Sequence, residues 1–387
     1  MKFSQKNNII VGIDATNIRG GGGVTHLVEI LRALQPEKLG IDRVIVWGGN
    51  DTLMAIEDRD WIDKRNLLAL NKNLVRRALW QIYELSKAAE DERCDVLFVP
   101  GGSYVGRFKP VVTMSQNLLP FENRELKRFG CSVVAFKLMI LRFIQSSSFS
   151  RSNGVIFLTK YARETILRMT GPIVAKISII PHGINKRFIQ ALKTQRPITD
   201  YDHANPYRVL YVSIVDQYKH QWHVVEALAV LRREGFPVVL EFVGPAYPPA
   251  LERLVKTIDR VDRNRDWVHY HGPITFDSLH LRYAEADLGI FASSCENMPN
   301  ILLETMAAGL PIACSNRGPM PEVLGSAGLY FDPERPAEIA SAVRTLISCP
   351  KLRWRLAQMS CKLAKDYSWN CCAESTFRFL AGFAKNQ

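Results

Sequence analysis

The amino-acid sequence predicts an α/β protein with two doubly wound, Rossmann-like domains, each a parallel β-sheet with helices on both faces. The chain has 387 residues, about twice the size of a common domain. Short apolar runs alternate with segments of helical periodicity along the chain, as expected for right-handed β-α-β units. A polar, proline-containing stretch at residues 191–205 interrupts the alternation and is predicted to link the two domains.

The first round of alternation predicts an N-terminal domain over residues 1–190. Residues 9–14 (IIVGID) form an apolar run that ends in an acid, which is typical of a buried parallel strand. Four glycines follow, and residues 25–34 then show the apolar spacing of a helix. Further strands are predicted at residues 43–47, 96–100, 111–115, 155–159 and 177–180.

The second round predicts a C-terminal domain over residues 206–365, followed by a terminal helix over residues 366–387. Ligands of doubly wound sheets bind beyond the carboxyl ends of the strands, so residues that directly follow a strand are the first candidates for a site. Strands are predicted at residues 208–212, 238–243, 268–271, 288–292 and 311–315. Helices are predicted at residues 222–233, 250–262, 276–286, 300–309 and 336–347.

Composition places the chain among globular proteins, because 47% hydrophobic and 23% charged residues exclude a disordered chain. The eight cysteines are scattered and form no CxxC pair, which suits a reducing cytoplasm. The N-terminal residues lack the pattern of a signal peptide. No uninterrupted apolar run of about 18 residues is present, so no membrane span is expected.

The net charge of +12 is uneven: residues 1–189 carry +11 and the remainder carries +1. A basic half indicates an anionic partner such as nucleic acid, a membrane surface or a charged substrate. Residues 126–151 mix large apolar side chains with cations, so this segment could lie in the headgroup region of a bilayer. It could instead pack in the N-terminal core with its cations snorkelling to water. The charge excess favours the membrane. The cations are Lys127, Arg128, Lys137, Arg142 and Arg151.

The most informative segment is residues 294–311, SCENMPNILLETMAAGLP, which directly follows a predicted strand. Glu296 precedes a predicted helix, and Glu304 lies in its first two turns. Helix N-termini offer unpaired amides and a partial positive charge to phosphate groups. Carboxylates accept hydrogen bonds from sugar or ribose hydroxyls. One ligand across the helix start could therefore contact both acids.

This segment resembles the retaining family 4 glycosyltransferases of GT-B fold, and the resemblance continues through residues 316–319 (NRGP). It implies two domains that face each other across a cleft and a C-terminal helix that returns to the N-terminal domain. It also implies that Glu296 is catalytic and contacts the transferred sugar near the reacting carbon, while Glu304 holds the nucleotide ribose. The pyrophosphate would be held by Asn297 and by the amides of Met298, Asn300 and Ile301.

A second segment, residues 211–221 (YVSIVDQYKHQ), follows another predicted strand. Lys219 is placed to direct its ammonium at the diphosphate and neutralise the charge of the leaving group. Ser213 is predicted to be a further donor contact. The family usually has an arginine and a lysine five apart here, followed by glycine. This chain has Ile214 in place of the arginine and His220 in place of the glycine.

The glycine run after the first strand allows a backbone to approach a ligand closely. Gly22 and Gly23 are therefore predicted to lie against the donor phosphates or the acceptor. By itself a glycine run also suits a flexible surface loop. Arg19, directly before the run, is a hypothetical substitute for the missing phosphate cation.

Acceptor-side contacts are predicted at Gln116, Asn117 and His182. Many relatives have a His-Asp-like pair where this chain has Gln116 and Asn117, and neither amide titrates. The leaving phosphate would then take the acceptor proton. His269 and His271 alternate on one strand without a third ligand, so the prediction is a site that needs no metal or other cofactor.

The resemblance and the basic half together imply an enzyme that moves a hexose or deoxyhexose from a nucleoside-diphosphate sugar to a lipid-linked saccharide. Residues 218–221 (YKHQ) resemble mannosyl- and rhamnosyltransferases of O-antigen pathways, which favours mannose or rhamnose. The setting would be bacterial lipopolysaccharide, O-antigen or polysaccharide synthesis. A GDP-linked donor is favoured over a UDP-linked one. The protein is expected in the cytoplasm, on the anionic inner leaflet of the inner membrane, without nucleic acid as a partner. The alternatives are a GT-B-fold epimerase or phosphorylase and a basic nucleic-acid-binding protein, although no nucleic-acid-binding motif is evident.

Overall fold

The computed structural model describes residues 8–384 and divides them into two compact α/β units, which confirms the predicted fold class. The first unit comprises the described residues up to Leu126, Cys131–Gly183 and the described residues from Ser368. The second comprises Lys127–Gly130 and Ile184–Tyr367. Residues 1–7, part of the segment predicted not to be a signal peptide, lie outside the described range. Residues 385–387, the last of the predicted terminal helix, lie outside it as well.

The first unit is a seven-stranded parallel sheet in the order β3-β2-β1-β4-β5-β6-β7. Its central strands are buried on both faces, which is why they read as continuous apolar runs. The strands are β1 Ile9–Ala15, β2 Ile41–Gly48, β3 Ile62–Arg65, β4 Val96–Val99, β5 Val111–Met114, β6 Gly154–Phe157 and β7 Lys176–Ile179.

The helices that precede the second sheet in chain order connect these strands. They are α1 Gly21–Ala33, α2 Asn50–Met54, α3 Leu74–Tyr83, α4 Leu85–Asp91, α5 Asn123–Lys127, α6 Val133–Arg151 and α7 Lys160–Thr170. The last helix of the chain, α15 (Trp369–Ala381), belongs to the first unit and packs against α1 and β4. The predicted return of the C-terminal helix to the N-terminal domain is therefore confirmed.

The second unit is a six-stranded parallel sheet in the order β10-β9-β8-β11-β12-β13. The strands are β8 Tyr207–Val212, β9 Val238–Val243, β10 Val268–Tyr270, β11 Leu288–Phe291, β12 Ile312–Ser315 and β13 Leu329–Phe331. The helices are α8 Gln221–Arg233, α9 Pro248–Val261, α10 Phe276–Glu285, α11 Asn300–Ala307, α12 Met320–Leu324, α13 Pro336–Ser348 and α14 Pro350–Ala364.

The predicted linker at residues 191–205 lies within the second unit. Arg353, whose side chain is fully buried, donates to the side chain of Gln195 and to the carbonyl of Arg196. Lys193 donates 2.5 Å to the carbonyl of Ala286. The segment lacks an apolar period because hydrogen bonds, rather than a buried stripe, fix it to the unit.

Helix α1 begins four residues earlier than its apolar pattern predicts. Gly21, Gly22 and Gly23 form its first turn instead of a loop, since a glycine run carries no apolar signal that would reveal the start of a helix. The two amides at positions 22 and 23 are thus part of a helix N-terminus. The ligand contact predicted for Gly22 and Gly23 would therefore be made by amides at this helix N-terminus.

Helix α6 has the length and composition of a membrane-spanning helix, contrary to the expectation that the chain has none. Only 28% of its most apolar window is buried. The inward side is held by Ala135, Gln145, Ser148 and Phe149, which are buried. Length and composition alone are weak evidence for a span, and α6 is here a helix packed on the surface of the first unit.

Candidate active site

Lys219 and Glu296 form an ion pair in the second unit. Lys219 lies in the loop after β8, and Glu296 lies in the loop after β11, so the neighbouring carboxyl ends of two paired strands bring the side chains together. The side chains are 7% and 15% exposed. The Lys219 ammonium also lies 5.1 Å from the ring centre of Tyr218 and 5.5 Å from that of Phe291. The two predicted catalytic residues thus share one largely enclosed, aromatic-lined position.

Several contacts fix the loop that carries Lys219. The Tyr211 hydroxyl donates 2.7 Å to the carbonyl of Lys219. Gln221 donates 2.9 Å to the hydroxyl of Ser213 and 2.9 Å to the carbonyl of Ile214. Ser213 is buried, and its hydroxyl donates to the carbonyl of Ile214. Ser213 therefore acts in this structure as a brace for the loop.

His220 joins the Lys219 loop to the Glu296 loop. Its backbone has φ 55°, the left-handed conformation that glycine adopts without strain, and its ring is fully buried. His220 Nε2 lies 2.9 Å from the Ser294 hydroxyl, and the Ser294 amide donates 2.8 Å to the carbonyl of Tyr218. The departure from the family glycine thus has a structural counterpart, a side-chain bridge between the two loops.

Glu304 lies on α11 and is 7% exposed. Burial raises the pKa of its carboxyl to about 8, although the Tyr283 hydroxyl, which donates 3.0 Å to Oε2, lowers the pKa in part. The helix sits close to the sheet because Gly289 on β11 has no side chain, and a Cβ there would overlap Thr305. Glu304 is thus held inward by packing, as a ligand-binding acid near a strand end would be.

The loop and first turn before Glu304 contain the other predicted donor contacts. Asn297 and Met298 are buried, and Ile301 lies in the first turn of α11. The Asn300 amide donates 3.0 Å to the carbonyl of Met298. That amide therefore serves the turn, while the predicted pyrophosphate contact of Asn300 would require its release.

The predicted residues of the first unit form a second cluster. Gln116 donates 3.2 Å to Nδ1 of His26, and a Cβ on Gly23 would lie 3.2 Å from the Gln116 carbonyl oxygen. His182 stacks on His26 with ring centres 4.7 Å apart, and Trp369 of α15 lies 5.6 Å from His182. The end of β5, the start of α1 and the segment after β7 that contains His182 thus meet, and the structure brings Gln116, Gly23 and His182 together.

Burial disfavours the charged form of His26 in this cluster. His26 is fully buried, and burial, with a smaller effect of His182, holds the pKa of His26 well below its usual range. Asn117 lies apart from the cluster: its side-chain oxygen accepts 3.1 Å from the Leu119 amide in an exposed turn. Gly22 lies in the first turn of α1 and is exposed to solvent.

Sequence reasoning missed Tyr283, Trp369 and the bridging role of Ser294. Tyr283 and Trp369 lie on helices far from the motifs, where a buried aromatic residue has the same signal as any core residue. His26 could have been found, since it follows Gly23 by three residues and so lies on the same face of α1.

The described residues contain no group of three or more His, Cys, Asp or Glu that could hold a metal ion. His269 and His271 lie on β10 and its end with ring centres 6.3 Å apart. His271 Nε2 lies 3.5 Å from Glu241, which also pairs with Arg208. Lys219 is the cation placed at Glu296.

The structure shows two Rossmann-like units with a site at paired strand ends, and comparison with known proteins identifies the family. Residues 20–188 match Glycosyltransferase Family 4, and residues 206–349 match Glycosyl transferases group 1. The two matches together cover most of the chain. The chain belongs to the family 4 glycosyltransferases.

Individual relatives agree with this assignment. The O-antigen chain mannosyltransferase B of Escherichia coli is 26% identical over 233 residues, which are 59% of this chain and 58% of the relative. The chain thus spans little more than half the length of its similar relatives.

Solved structures show the GT-B fold. Sucrose-phosphate synthase from Thermosynechococcus elongatus has a TM-score of 0.74 at 17% identity, with 95% of this chain and 97% of that chain covered. HepE of Anabaena, solved in complex with UDP, has a TM-score of 0.72 at 17% identity, with 97% and 100% covered.

Proposed function

We propose that this protein is a retaining glycosyltransferase that uses a nucleoside-diphosphate sugar and an acceptor linked to a lipid. The observation that carries the proposal is the enclosed Lys219–Glu296 pair at two neighbouring strand ends, directly before α11. A single cation beside a helix N-terminus suits a diphosphate, and a carboxylate beside it suits sugar hydroxyls.

In this mechanism Lys219 stabilises the negative charge that grows on the departing diphosphate. The bond between the anomeric carbon and the diphosphate oxygen breaks while the acceptor hydroxyl oxygen bonds to the same face of that carbon. The acceptor proton passes to the departing phosphate oxygen. This route needs no protein base, and Gln116 is not one. Glu296 holds the transferred sugar by its hydroxyls, and Glu304 accepts from the ribose.

The donor is proposed to carry GDP, with UDP as the alternative, and the sugar to be mannose or rhamnose. The mannosyltransferase relative supports the first choice, and the UDP complex of HepE supports the second. The proposed donor contacts are Ser213, Asn297, Met298, Asn300 and Ile301, together with Gly22 and Gly23 as the sequence predicts. No metal or other cofactor takes part in the proposed reaction.

The acceptor is proposed to be a lipid-linked saccharide, reached from the inner leaflet of the inner membrane by a cytoplasmic protein. Gln116, Asn117 and His182 are its proposed contacts. The outward side of α6 supports membrane contact, because it carries large apolar side chains that are between 44% and 77% exposed. These are Val133, Phe136, Met139, Ile140 and Phe143.

Only part of the basic charge in this region is available to lipid. Arg128 and Glu334, which both belong to the second unit, form an ion pair. Arg142 donates 2.5 Å to the carbonyl of Pro120 and 2.7 Å to Asn123. Lys137 is exposed on α6 among the apolar residues. The apolar side chains, with Lys137, are therefore the main proposed membrane contact.

The test is a panel of GDP, UDP, ADP and TDP in thermal-unfolding measurements without added metal. A nucleotide at a hundredfold excess over its Kd stabilises the native state by about 2.7 kcal/mol, a clear shift. Lys219→Ala should abolish the shift. Lys256→Ala is the matched control, because Lys256 is an exposed lysine on α9 of the same unit. An absence of any shift in the wild type would contradict the proposed function.

The roles of Glu296 and Glu304 are tested by measuring turnover of the sugar donor that contains the stabilising nucleotide. Glu296→Gln keeps the size of the side chain and removes its charge. It should lower kcat by about a hundredfold or more, while the nucleotide Kd stays nearly constant. Glu304→Ala should instead weaken nucleotide binding. Equal and mild effects of both variants would contradict the assigned roles.

A further inference from the structure

Two arginines lie beyond the end of β1, and neither takes part in the proposed mechanism. Arg19, in the loop after β1, donates to the carbonyl of Leu70. Arg77, on α3, donates 3.0 Å to the carbonyl of Thr16. A Cβ on Gly49 would overlap the Arg19 guanidinium, so the guanidinium lies directly over that glycine. Main-chain carbonyls and a glycine thus hold both guanidinium groups in place.

Neither arginine has an acidic partner within ion-pair distance among residues 8–384. Other arginines of the first unit do have such partners: Arg32 pairs with Glu29 and Glu57, and Arg43 with Asp63 and Glu92. Two close cations without an anion repel each other, which costs free energy unless a ligand supplies the charge.

The local environment agrees with an absent anion. Burial, and then the charge of Arg19, lower the pKa of Arg77. Arg77 Nε is buried and has no hydrogen-bond partner in the part of the chain that is described. Asp14, the nearest acid along the chain from Arg19, is buried and accepts from Gln81 and from the Thr16 amide, and burial raises its pKa. Asp14 is therefore occupied elsewhere.

The start of α1 adds to the positive potential. The helix has 13 residues, its N-cap Gly20 provides no side-chain cap, and its first turn contains no acid. Its free amides follow Arg19 directly along the chain. A helix N-terminus of this kind carries a partial positive charge. Two guanidinium groups and these amides offer the forked donors that phosphate oxygens accept.

We infer that Arg19, Arg77 and the first turn of α1 bind the phosphate or diphosphate group of the lipid-linked acceptor. This inference rests on the proposed function and adds the residues that recognise the acceptor's anion. An attached lipid chain has apolar surface beside it, since α3 exposes large apolar side chains next to Arg77. They are Leu74, Val75, Leu79, Ile82 and Tyr83.

Binding of geranyl diphosphate, a short isoprenoid diphosphate, tests the site in the full chain. The nucleotide that stabilises the protein is kept in excess, so that Lys219 is occupied. Arg77→Gln and Arg19→Gln should each raise the Kd for geranyl diphosphate about tenfold or more, the loss expected for one charge-assisted contact. Gly49→Ala should also raise it, because it displaces Arg19 without a change of charge.

Arg76→Gln is the matched control. Arg76 neighbours Arg77 on α3, is exposed, and loses the same charge on substitution. The Kd of Arg76→Gln for geranyl diphosphate should stay at the wild-type value. If Arg77→Gln and Arg19→Gln bind geranyl diphosphate as tightly as Arg76→Gln, the inference is wrong. Arg19→Gln alters an exposed side chain and so serves as the folded variant if Arg77→Gln is unstable.

Two further measurements separate the possible sources of the phosphate. A tenfold weaker nucleotide Kd in Arg19→Gln would assign the cation to the donor, as a substitute for the arginine missing at Ile214, and would overturn the inference. Vesicles containing phosphatidylglycerol should bind Arg77→Gln and Arg76→Gln equally. A larger loss for Arg77→Gln would assign it to membrane headgroups and would overturn it as well.

Failure of the proposed function has a different signature. In that case no nucleotide stabilises the wild type, whereas failure of the acceptor site leaves nucleotide binding intact and abolishes only the difference between the Arg77 and Arg76 variants.

Discussion

At the scale of single residues, Glu304 connects burial with pH dependence. Its pKa rises from 4.5 to about 8 in the folded protein, so the folded state holds this proton more tightly than the unfolded chain. Between these two pKa values the free energy of unfolding should therefore fall as pH rises. Glu304→Gln has no titrating group and should show a flatter pH dependence.

The measurement is urea denaturation of both proteins at several pH values between about 5 and 8. Because Tyr283 donates to Glu304, Tyr283→Phe should extend the fall to higher pH, as it removes the contact that lowers the pKa. Parallel pH curves for the wild type and Glu304→Gln would show that Glu304 titrates normally.

A second prediction at the scale of residues concerns His220, where backbone strain and a side-chain contact have opposite effects on the free energy of unfolding. A left-handed backbone costs a non-glycine residue about 1 kcal/mol, and a buried hydrogen bond contributes about the same. His220→Gly removes both the strain and the bond to Ser294, which nearly cancel, but it also leaves a cavity where the fully buried ring packed, so the free energy of unfolding should fall.

Turnover of the folded protein should also fall in His220→Gly, because the Lys219 and Glu296 loops lose their bridge. Ser294→Ala breaks the same bridge but keeps the strain, so it should lose both stability, by about 1 kcal/mol, and turnover. Denaturation and kcat measured side by side separate the two effects. Full turnover in His220→Gly would mean that the bridge does not position the catalytic pair.

At the scale of elements, the return of the chain into α15 depends on one glycine. A Cβ on Gly183 would overlap the backbone of Ser368 and Trp369, which cannot move aside as a side-chain end can. Gly183→Ala should therefore lower the free energy of unfolding by at least about 2 kcal/mol.

Gly20→Ala is the control for Gly183→Ala. Gly20 has an extended backbone with φ 177°, and a Cβ added there would meet no atom within 4 Å. The free energy of unfolding of Gly20→Ala should stay within about 0.5 kcal/mol of the wild-type value. Equal stability of the two variants, measured by denaturant unfolding, would show that the segment at Gly183 can shift.

Which elements the sequence could predict follows from how they are buried. Strands such as β4, whose four residues are all buried, leave a continuous apolar run that is legible without a structure. The edge strand β3 (IDKR) has one buried residue, and β13 has three residues, so neither has a readable pattern. Their positions are fixed by pairing with β2 and β12, which is tertiary information.

The candidate site shows the same division. Glu296 and Lys219 could be predicted because each directly follows a strand and belongs to a dense local motif. Tyr283 on Glu304 and Trp369 near His182 could not, since these contacts join residues far apart along the chain. The predicted start of α1 was wrong by four residues, because glycines are poor helix formers and carry no apolar pattern.

At the scale of the whole molecule, charge and exposed apolar surface concentrate in the same half of the sequence. Residues 1–189 carry +11 of the net +12, and α6 turns large apolar side chains outward instead of inward. Phe143 is 77% exposed and Phe136 is 59% exposed. Water solvates such a face poorly, while the headgroup region of an anionic bilayer accepts both the rings and Lys137.

Phe136→Ser combined with Phe143→Ser should therefore weaken binding to phosphatidylglycerol-containing vesicles at least about tenfold, since burial of one such side chain contributes about 1.5–3 kcal/mol. Leu281→Ser is the control, because Leu281 is a similarly exposed apolar residue on α10 of the second unit. Lys137→Gln should weaken binding less, by about 1 kcal/mol, and only at low salt, because exposed charges are screened. Vesicle co-sedimentation at two salt concentrations measures all three. If the double variant and Leu281→Ser co-sediment alike, α6 does not contact the membrane.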